Sequence, residues 1–211
     1  MIRNELTKDY REVENLTREA FWNLYFPGCD EHYLAHILRD DPYFIKELDF
    51  VKVIEEKIVG YIMYSKSWIE TLDGFKYEIL TFGPLAVLPE FQNMGVGREL
   101  LTFSMEKALE MGYKAVSIYG NPGFYSKFGF RPAKDFGIYT SDLKYMPAHQ
   151  IIELEKGALE NISGKHIISD VFNIDMDKVE EFDKNFNYKE KKVMDSQKLF
   201  LEISSIMEDV F

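Results

Sequence analysis

The chain has 211 residues, of which 46% are hydrophobic and 15% aromatic, so it can bury the core of one full domain and lacks the composition of a disordered chain. Its formal net charge of −11 argues against a nucleic-acid surface, because binding phosphates requires clustered Lys and Arg. Cys29 is the only cysteine, which excludes intrachain disulfides and metal sites built from several cysteines.

Two helices followed by strands are predicted for the first part of the chain. The predicted elements are, in order, helices over 10–25 and 30–39 and strands over 50–54, 58–69 and 77–87. Asp73-Gly74 is a hairpin turn signal between the last two strands. Sequential strands joined by short turns predict an antiparallel meander.

The apolar spacing changes to a helical one after Pro89. Gly112 is well placed to end this helix, and residues 115–119 read as a short buried strand. A strand, a helix and another strand make a crossover, which implies one parallel strand pair. We therefore predict an α/β (α+β) fold with a mixed, mostly antiparallel sheet flanked by helices.

The rest of the chain is predicted to extend this core. Its predicted elements are strands over 148–154 and 166–172 and helices over 176–186 and 195–210. Because no linker separates these elements from the front part, we divide the chain into a core, 1–150, and an extension packed on the same domain, 151–211. The apolar stripe of the last helix indicates packing on the domain or a homodimer contact; it comprises Leu199, Ile203, Ile206 and Val210.

Residues 91–98 join a strand to a helix through two glycines. Gly95 and Gly97 let the backbone turn tightly and bring its N–H groups close to a ligand. The N-terminus of the following helix adds unpaired donors and the positive end of its dipole, which suits a pyrophosphate. A dinucleotide-binding fingerprint would need glycine at Leu100 and a P-loop would need lysine at Arg98, so neither motif is present. An ordinary tight turn is the alternative.

This segment resembles the GNAT superfamily of N-acetyltransferases. The superfamily's Gln-x-x-Gly-x-Gly pattern is matched by residues 92–97, and Leu85 to Phe91 resembles the end of its fourth strand. Its Tyr-x-x-x-Gly-Phe element is matched within 124–130, and the order of elements agrees over roughly residues 1–132. Within the superfamily, the chain is most similar to a poorly characterised bacterial subgroup. The resemblance implies that acetyl-CoA is the cosubstrate and that its pyrophosphate is bound by Gln92, Asn93, Met94, Gly95, Val96, Gly97 and Arg98.

Gly83-Pro84 predicts how the thioester is presented. Proline removes a ladder donor, so a break in strand pairing is expected within 77–87. The resemblance implies that the fourth strand splays from the fifth and that Leu85, Ala86 and Val87 pair with the pantetheine arm. It also implies an N–H near Leu85 that polarises the thioester carbonyl. A structural bulge without a ligand is the alternative.

Tyr125 is the tyrosine of the Tyr-x-x-x-Gly-Phe element and, by resemblance, the catalytic acid that protonates the departing thiolate. It is also expected to contact the cofactor. In most of the superfamily an Asn lies about seven residues earlier, whereas Asn121 lies four residues before Tyr125. Asn121 is nevertheless the matching cofactor-binding candidate. A packing role for Tyr125 is the alternative, because buried aromatic rings are common.

The general base is left open by the sequence. Some superfamily members use a Glu on the fourth strand, and the corresponding residue here is Thr81, which cannot act as a base. Glu78, Glu70, His36 and deprotonation through water are the alternatives, although Glu78 should point to the opposite face from Thr81. His32 and His36 have a spacing that can hold a metal, but the Glu of a zincin signature is missing, and no metal is expected.

The combined features predict an acetyl-CoA-dependent N-acetyltransferase in which an amine attacks the thioester directly. The acceptor is a small-molecule or peptide amine whose identity the sequence does not give. A non-catalytic acyl-CoA-binding or sensor module is the alternative. The charged start of the chain and the absence of a long apolar run predict a cytoplasmic protein without membrane or nucleic-acid partners, with a homodimer as an option.

Overall fold

The structure is a computed structural model that describes residues 1–198, 200–202 and 206–210. Its helices are α1 (Tyr10–Phe21), α2 (Glu31–Leu38), α3 (Val96–Glu110), α4 (Pro122–Tyr125), α5 (Met176–Asp183) and α6 (Asp195–Ser205). Its strands are β1 (Ile2–Asn4), β2 (Phe50–Ile54), β3 (Lys57–Glu70), β4 (Lys76–Val87), β5 (Ala115–Tyr119), β6 (Arg131–Pro132), β7 (Ile138–Tyr139), β8 (Lys144–Tyr145), β9 (His149–Glu153), β10 (Gly164–Ile167) and β11 (Glu208–Asp209).

The chain divides into two compact units, each assembled from three stretches. Unit 1 comprises Met1–Tyr64, Gly83–Ser104 and Asp170–Gln197. Unit 2 comprises Ser65–Phe82, Met105–Ser169 and the chain from Lys198 onward. The division into 1–150 and 151–211 stays a prediction.

Unit 1 contains β1, β2 and the part of β3 up to Tyr64, paired antiparallel in that order, together with α1 and α2, which pack on each other. A Cβ on Gly60 of β3 would lie 2.8 Å from side-chain carbons of Val96 and Leu100, so glycine lets the first turns of α3 approach the strand closely. The C-terminal stretch of the unit holds α1, because Arg18 Nε donates to Asp183 Oδ1 at 2.6 Å.

Unit 2 contains the rest of β3 and the part of β4 up to Phe82. Its strands follow the order β3, β4, β5, β9 and β6, and β10 pairs with β3. β4 and β5 are parallel, whereas β5 and β9 are antiparallel. The apolar core of the unit lies around these strands and comprises Ile69, Ile79, Ala115, Ala133, Ile138, Ile151 and Leu159. The first four residues of β5 are buried, in agreement with the short buried strand predicted over 115–119.

The mixed sheet with a parallel crossover pair, β4 with β5, is confirmed, and so are the helices that flank it. β7 and β10 form a second parallel pair, which was not predicted. The predicted bounds of two elements near the C-terminus are wrong. The strand expected over 166–172 is β10, which begins at Gly164 and ends at Ile167, because its extent is set by pairing with β3. The helix expected over 195–210 ends at Ser205, and Glu208–Asp209 instead pairs with β8.

The predicted apolar stripe of the last helix is only partly described. Leu199 and Ile203 lie outside the described residues, and Ile206 is exposed. In the part of the chain that the structure describes, no helix combines the length and apolar character needed to cross a membrane.

Candidate functional site

The parallel pairing of β4 with β5 is short. Its registered pairs are Leu80 with Val116 and Thr81 with Ser117, although β5 continues to Tyr119. The pairing therefore ends two residues before the end of β5. The peptide bond between Gly83 and Pro84, which follows on β4, is cis.

The glycine-rich turn after β4 lies in unit 1. A short 3-10 helix, Pro89–Phe91, leads into it, and Gln92 Nε2 donates to the Val87 carbonyl at 3.0 Å, which ties the turn back to the strand. Asn93 and Gly95 adopt left-handed φ angles of 59° and 88°. Because α3 begins immediately afterwards, its first N–H groups have no intrahelical partner and can bind an anion.

The side chains of the turn differ in their surroundings. Val96 is buried against Gly60, whereas Met94 is 68% exposed. At Gly97 a Cβ would meet only the Val87 Cγ2 atom among the described residues, at an ordinary 3.6 Å. Packing within the described protein therefore does not require glycine at position 97, although helix propensity disfavours it.

The second predicted group, Asn121 and Tyr125, lies in unit 2. Asn121 Oδ1 accepts from the Gly123 N–H at 2.8 Å and so caps α4. The Tyr125 ring packs on Gly120, where a Cβ would come within 2.3 Å of it, and lies edge-on to Phe82 at 5.7 Å between ring centroids. The predicted site residues therefore form two groups, one in each unit.

The acidic candidates for a base are paired with cations. Glu78 is exposed and lies 3.2 Å from Lys66, and Glu70 lies 3.0 Å from Lys165. The pKa of Glu70 is lowered by its hydrogen bond to Lys165. Each of these two carboxylates is therefore held in an ion pair with a lysine.

Thr81 is buried and belongs to a hydrogen-bonded chain that sequence reasoning missed. Its Oγ1 lies 3.0 Å from Ser67 Oγ and 3.3 Å from His166 Nε2. His166 Nδ1 lies 3.1 Å from the Tyr119 hydroxyl. We call Ser67, Thr81, His166 and Tyr119 the Tyr119 chain. No local signal marks His166, because only the register of β10 on β3 brings it to Thr81.

The imidazoles near this chain are neutral. His166 is 1% exposed, and burial lowers its pKa to about 3. The His149 ring stacks on the Tyr119 ring at 4.5 Å between centroids, and burial also lowers the pKa of His149. His149 Nε2 lies 3.1 Å from Ser117 Oγ. The two imidazoles beside Tyr119 are thus uncharged at neutral pH, whereas the Asp142 carboxylate adds to burial in raising the pKa of Tyr119.

Cys29 is buried in unit 1, and its Sγ lies 3.4 Å from His32 Nδ1. Burial raises the pKa of the thiol and lowers the pKa of His32 to about 4. Both shifts disfavour a thiolate–imidazolium pair, so this contact lacks the character of an activated nucleophile.

Comparison with known proteins places the chain in a family. A family model described as the acetyltransferase (GNAT) family matches residues 2–130. The uncharacterized N-acetyltransferase YhbS of Escherichia coli K12 is 28% identical over 165 residues, which cover 78% of this chain and 93% of the relative.

Solved structures agree with this assignment. The crystal structure of E. coli YhbS in complex with CoA has a TM-score of 0.73 at 27% identity and covers 82% of this chain and 92% of that one. A GNAT acetyltransferase from Brucella melitensis in complex with acetyl-CoA has the same fold, with a TM-score of 0.66 at 21% identity over 82% of this chain and 97% of that one. The resemblance predicted from the motifs is confirmed: this chain belongs to the GNAT family of acetyltransferases.

Proposed function

We propose that this acetyltransferase moves the acetyl group of acetyl-CoA to an amine by direct attack on the thioester. Family membership supports the N-acetyltransferase activity, and the E. coli relative that was crystallised with CoA supports the coenzyme. The buried Cys29, whose pKa is raised by burial, offers no alternative acyl carrier.

The observation that carries the coenzyme assignment is the bare backbone at Gly97. A side chain there would fit the protein and would favour the helix, so glycine is better explained by a ligand that approaches the backbone. We assign the pyrophosphate to the amides of 94–98 and to the turn that Gln92 and Asn93 shape. The pantetheine arm is assigned to Leu85, Ala86 and Val87.

The chemistry needs three contributions. The acceptor ammonium first loses a proton to solvent, and the neutral amine nitrogen then bonds to the thioester carbon while an N–H near Leu85 stabilises the oxyanion. The C–S bond then breaks, its electron pair moves to sulfur, and the Tyr125 hydroxyl donates a proton to the thiolate. The nitrogen releases one proton to solvent, which also restores the Tyr125 proton, so the products are the acetylamide and CoA. Asn121 is assigned to the cofactor beside Tyr125.

The acceptor class is a primary amine on a small molecule or a peptide. The net charge of −11 supports a cationic acceptor through long-range attraction. We place the reaction in the cytoplasm, where acetyl-CoA and reduced thiols occur together, and a homodimer is compatible with the exposed apolar side chains of Leu201 and Ile206.

Release of free thiol from acetyl-CoA tests this function with four probe amines: 1,4-diaminobutane, spermidine, Nα-acetyl-lysine methyl ester and a tripeptide with a free N-terminus. Turnover with at least one of them is expected. Tyr125→Phe should lower kcat about tenfold or more while the Kd for acetyl-CoA stays within about twofold. The matched control is Tyr188→Phe, because Tyr188 is 90% exposed.

Gly97→Ala tests the coenzyme site within the same experiment. It should raise the free energy of unfolding by about 0.5–1 kcal/mol through helix propensity, yet weaken acetyl-CoA binding severalfold. Tight acetyl-CoA binding by wild type with no turnover of any amine, together with no effect of Tyr125→Phe, would instead identify a CoA-binding sensor.

A further inference from the structure

We propose that the Tyr119 hydroxyl oxygen binds the acceptor amine as a hydrogen-bond acceptor, and that His166 and Thr81 are positioning residues that fix the direction of this hydrogen bond. The inference rests on the proposed function, because the amine is its substrate. It adds a substrate-binding residue and two residues that act through it.

The direction of the hydrogen bonds follows from counting protons along the Tyr119 chain. The Thr81 hydroxyl donates its single proton to Ser67 Oγ at 3.0 Å. Thr81 Oγ1 can therefore only accept from His166 Nε2 at 3.3 Å, which places the imidazole proton on Nε2. His166 Nδ1 is then a bare acceptor, and the Tyr119 hydroxyl donates to it at 3.1 Å.

Tyr119 is left with lone pairs only. Its single hydroxyl proton points at His166, so any further partner of the oxygen must be a donor. An acceptor amine supplies N–H donors, and a hydrogen bond through one of them leaves the nitrogen lone pair free to attack. The oxygen thus offers the kind of contact that a nucleophilic amine needs.

This arrangement requires a neutral His166. An imidazolium carries protons on both nitrogens, so Nδ1 would donate to Tyr119 and the phenol proton would turn outward. Burial lowers the pKa of His166 to about 3 and also lowers that of the stacked His149, while burial raises the pKa of Tyr119. The chain therefore keeps one direction at neutral pH. The ring of His149 lies 4.8 Å from that of His166.

The position of Tyr119 in unit 2 suits this role. Ser67, Thr81 and His166 are buried, whereas Tyr119 is the partly exposed member of the chain. It is the last residue of β5, past the final registered pair with β4. The next residue is Gly120, on which the ring of Tyr125 packs. Tyr119, which is proposed to bind the amine, and Tyr125, the proposed acid, therefore lie on the same short segment.

Thr81 gains a function from this arrangement. It occupies the position at which some superfamily members have a carboxylate base. Here its hydroxyl accepts a hydrogen bond from the His166 imidazole on β10 and donates one to Ser67 Oγ. The proposed contact with the substrate is made instead by the Tyr119 phenol, at the other end of the Tyr119 chain.

Steady-state kinetics with whichever of the four probe amines gives the fastest turnover will test the assignment. Tyr119→Phe should lower kcat/KM for the amine about tenfold to a hundredfold and leave the Kd for acetyl-CoA within about twofold. His166→Phe should give a similar loss, whereas His166→Gln should restore most of the activity, because an amide has both an acceptor for Tyr119 and a donor for Thr81. The double variant Tyr119→Phe/His166→Phe should be no worse than either single variant.

Tyr64→Phe is the matched control, because it removes a buried tyrosine hydroxyl that hydrogen-bonds to Ser104 at 2.8 Å. It should lower stability without changing kcat/KM. Unchanged kcat/KM in Tyr119→Phe, additive losses in the double variant, or a failure of His166→Gln to restore activity would overturn the assignment.

The imidazole nitrogen chemical shifts of 15N-labelled protein supply a readout independent of turnover. We expect His166 to be the neutral Nε2–H tautomer between pH 5.5 and 8, with an Nδ1 shift that moves when a probe amine is added with CoA. A protonated Nδ1, or no response to any amine, would overturn the inference. Absence of turnover in wild type with these shifts as expected would instead refute the acetyl transfer and retain the amine site.

Discussion

Each unit of the molecule buries a network of polar side chains, and the two networks differ in charge. The network in unit 1, which we call the Arg39 cluster, comprises Glu5, Glu14, Arg39, Asp49 and Tyr61. The Tyr119 chain in unit 2 consists of hydroxyls and a neutral imidazole. The first contains several ionisable carboxyls around a guanidinium, whereas the second contains no formal charge at neutral pH.

The Arg39 cluster is held by fixed charge. Arg39 donates to Glu5 at 2.9 and 2.8 Å and to Glu14 at 3.1 Å, and its side chain is only 4% exposed. Its guanidinium also lies 4.1 Å from the centre of the Tyr10 ring. A guanidinium can only donate, so the hydrogen bonds from Arg39 to Glu5 and Glu14 have one possible direction.

The Tyr119 chain could run in either direction, because each hydroxyl and the imidazole can both donate and accept. The fold therefore has to set the direction of the hydrogen bonds. It does so by burying the His166 imidazole and by placing Ser67 Oγ as an acceptor at the end of the chain. A buried charged network stabilises the structure, whereas a buried neutral chain can present a lone pair of defined direction to a substrate.

The largest effect is expected on breaking the charged network. Arg39→Met leaves Glu5 buried without its cationic partner, while Glu14 keeps its contacts with His36 and Arg11. The change should lower the free energy of unfolding by about 3–5 kcal/mol, measured by urea denaturation. Arg131→Met is the control, because Arg131 pairs with Asp135 at an exposed site and should cost at most about 1 kcal/mol. Equal losses in the two variants would show that Arg39 contributes no more to the free energy of unfolding than an exposed ion pair does.

A smaller loss of stability is expected when the pH is lowered, and it comes from the neutral His166 of the Tyr119 chain. Folded His166 stays neutral down to a pKa of about 3, whereas the unfolded residue binds a proton below about pH 6.5, so stability falls as pH falls through this window. His166→Gln lacks this linkage. The stability of wild type relative to His166→Gln should therefore decrease by about 2 kcal/mol between pH 7 and 4.5. A pH-independent difference in urea denaturation would show that His166 is not buried in neutral form.

The smallest effect is expected at Asp49 within the charged network. Burial and the neighbouring Glu5 raise the pKa of Asp49 to about 9, so the carboxyl is protonated at pH 7 and resembles an amide. Asp49→Asn should change stability by less than about 1 kcal/mol at pH 4, where the carboxyl of the unfolded state is also partly protonated. At pH 7 the variant should be the more stable protein, because the unfolded wild type has released the proton that its folded state holds. Wild type should lose stability relative to the variant as pH rises from 7 to 9, because the folded state holds a proton that the unfolded state has released.

A large loss in Asp49→Asn at pH 7 would contradict this expectation. It would mean that Asp49 is ionised and belongs with Glu5 and Glu14 as a partner of Arg39, which would sharpen the contrast with the Tyr119 chain. Thermal scans at pH 4, 7 and 9 provide the measurement.

Local patterns predicted most of the fold, and they also supply both groups of candidate site residues. The turn after β4 and the loop after β5 are each coded by a few adjacent residues, Gln92 to Gly97 and Asn121 to Tyr125, and glycine, proline and capping chemistry act over such distances. The GNAT family followed from these two segments together, and the family comparison confirms it.

The Tyr119 chain could not be predicted because it depends on non-local register. Thr81 and His166 are 85 residues apart, and they meet because His166 pairs with Ile69 across β10 and β3. The same strand pairing sets the ends of β10, which explains why its predicted bounds, 166–172, were wrong. Hydrophobic spacing identifies strands but carries no information about which strand pairs with which.

The interleaved chain stretches of the two units have a consequence for synthesis on the ribosome. Arg18 of α1 meets Asp183 only after 165 further residues have been made, and unit 1 lacks its last stretch until Gln197 has emerged. At about 5–20 residues per second, α1 waits on the order of ten seconds or more for this partner. A nascent chain that stalls near residue 150 therefore exposes incomplete surfaces in both units, and these are natural binding sites for chaperones.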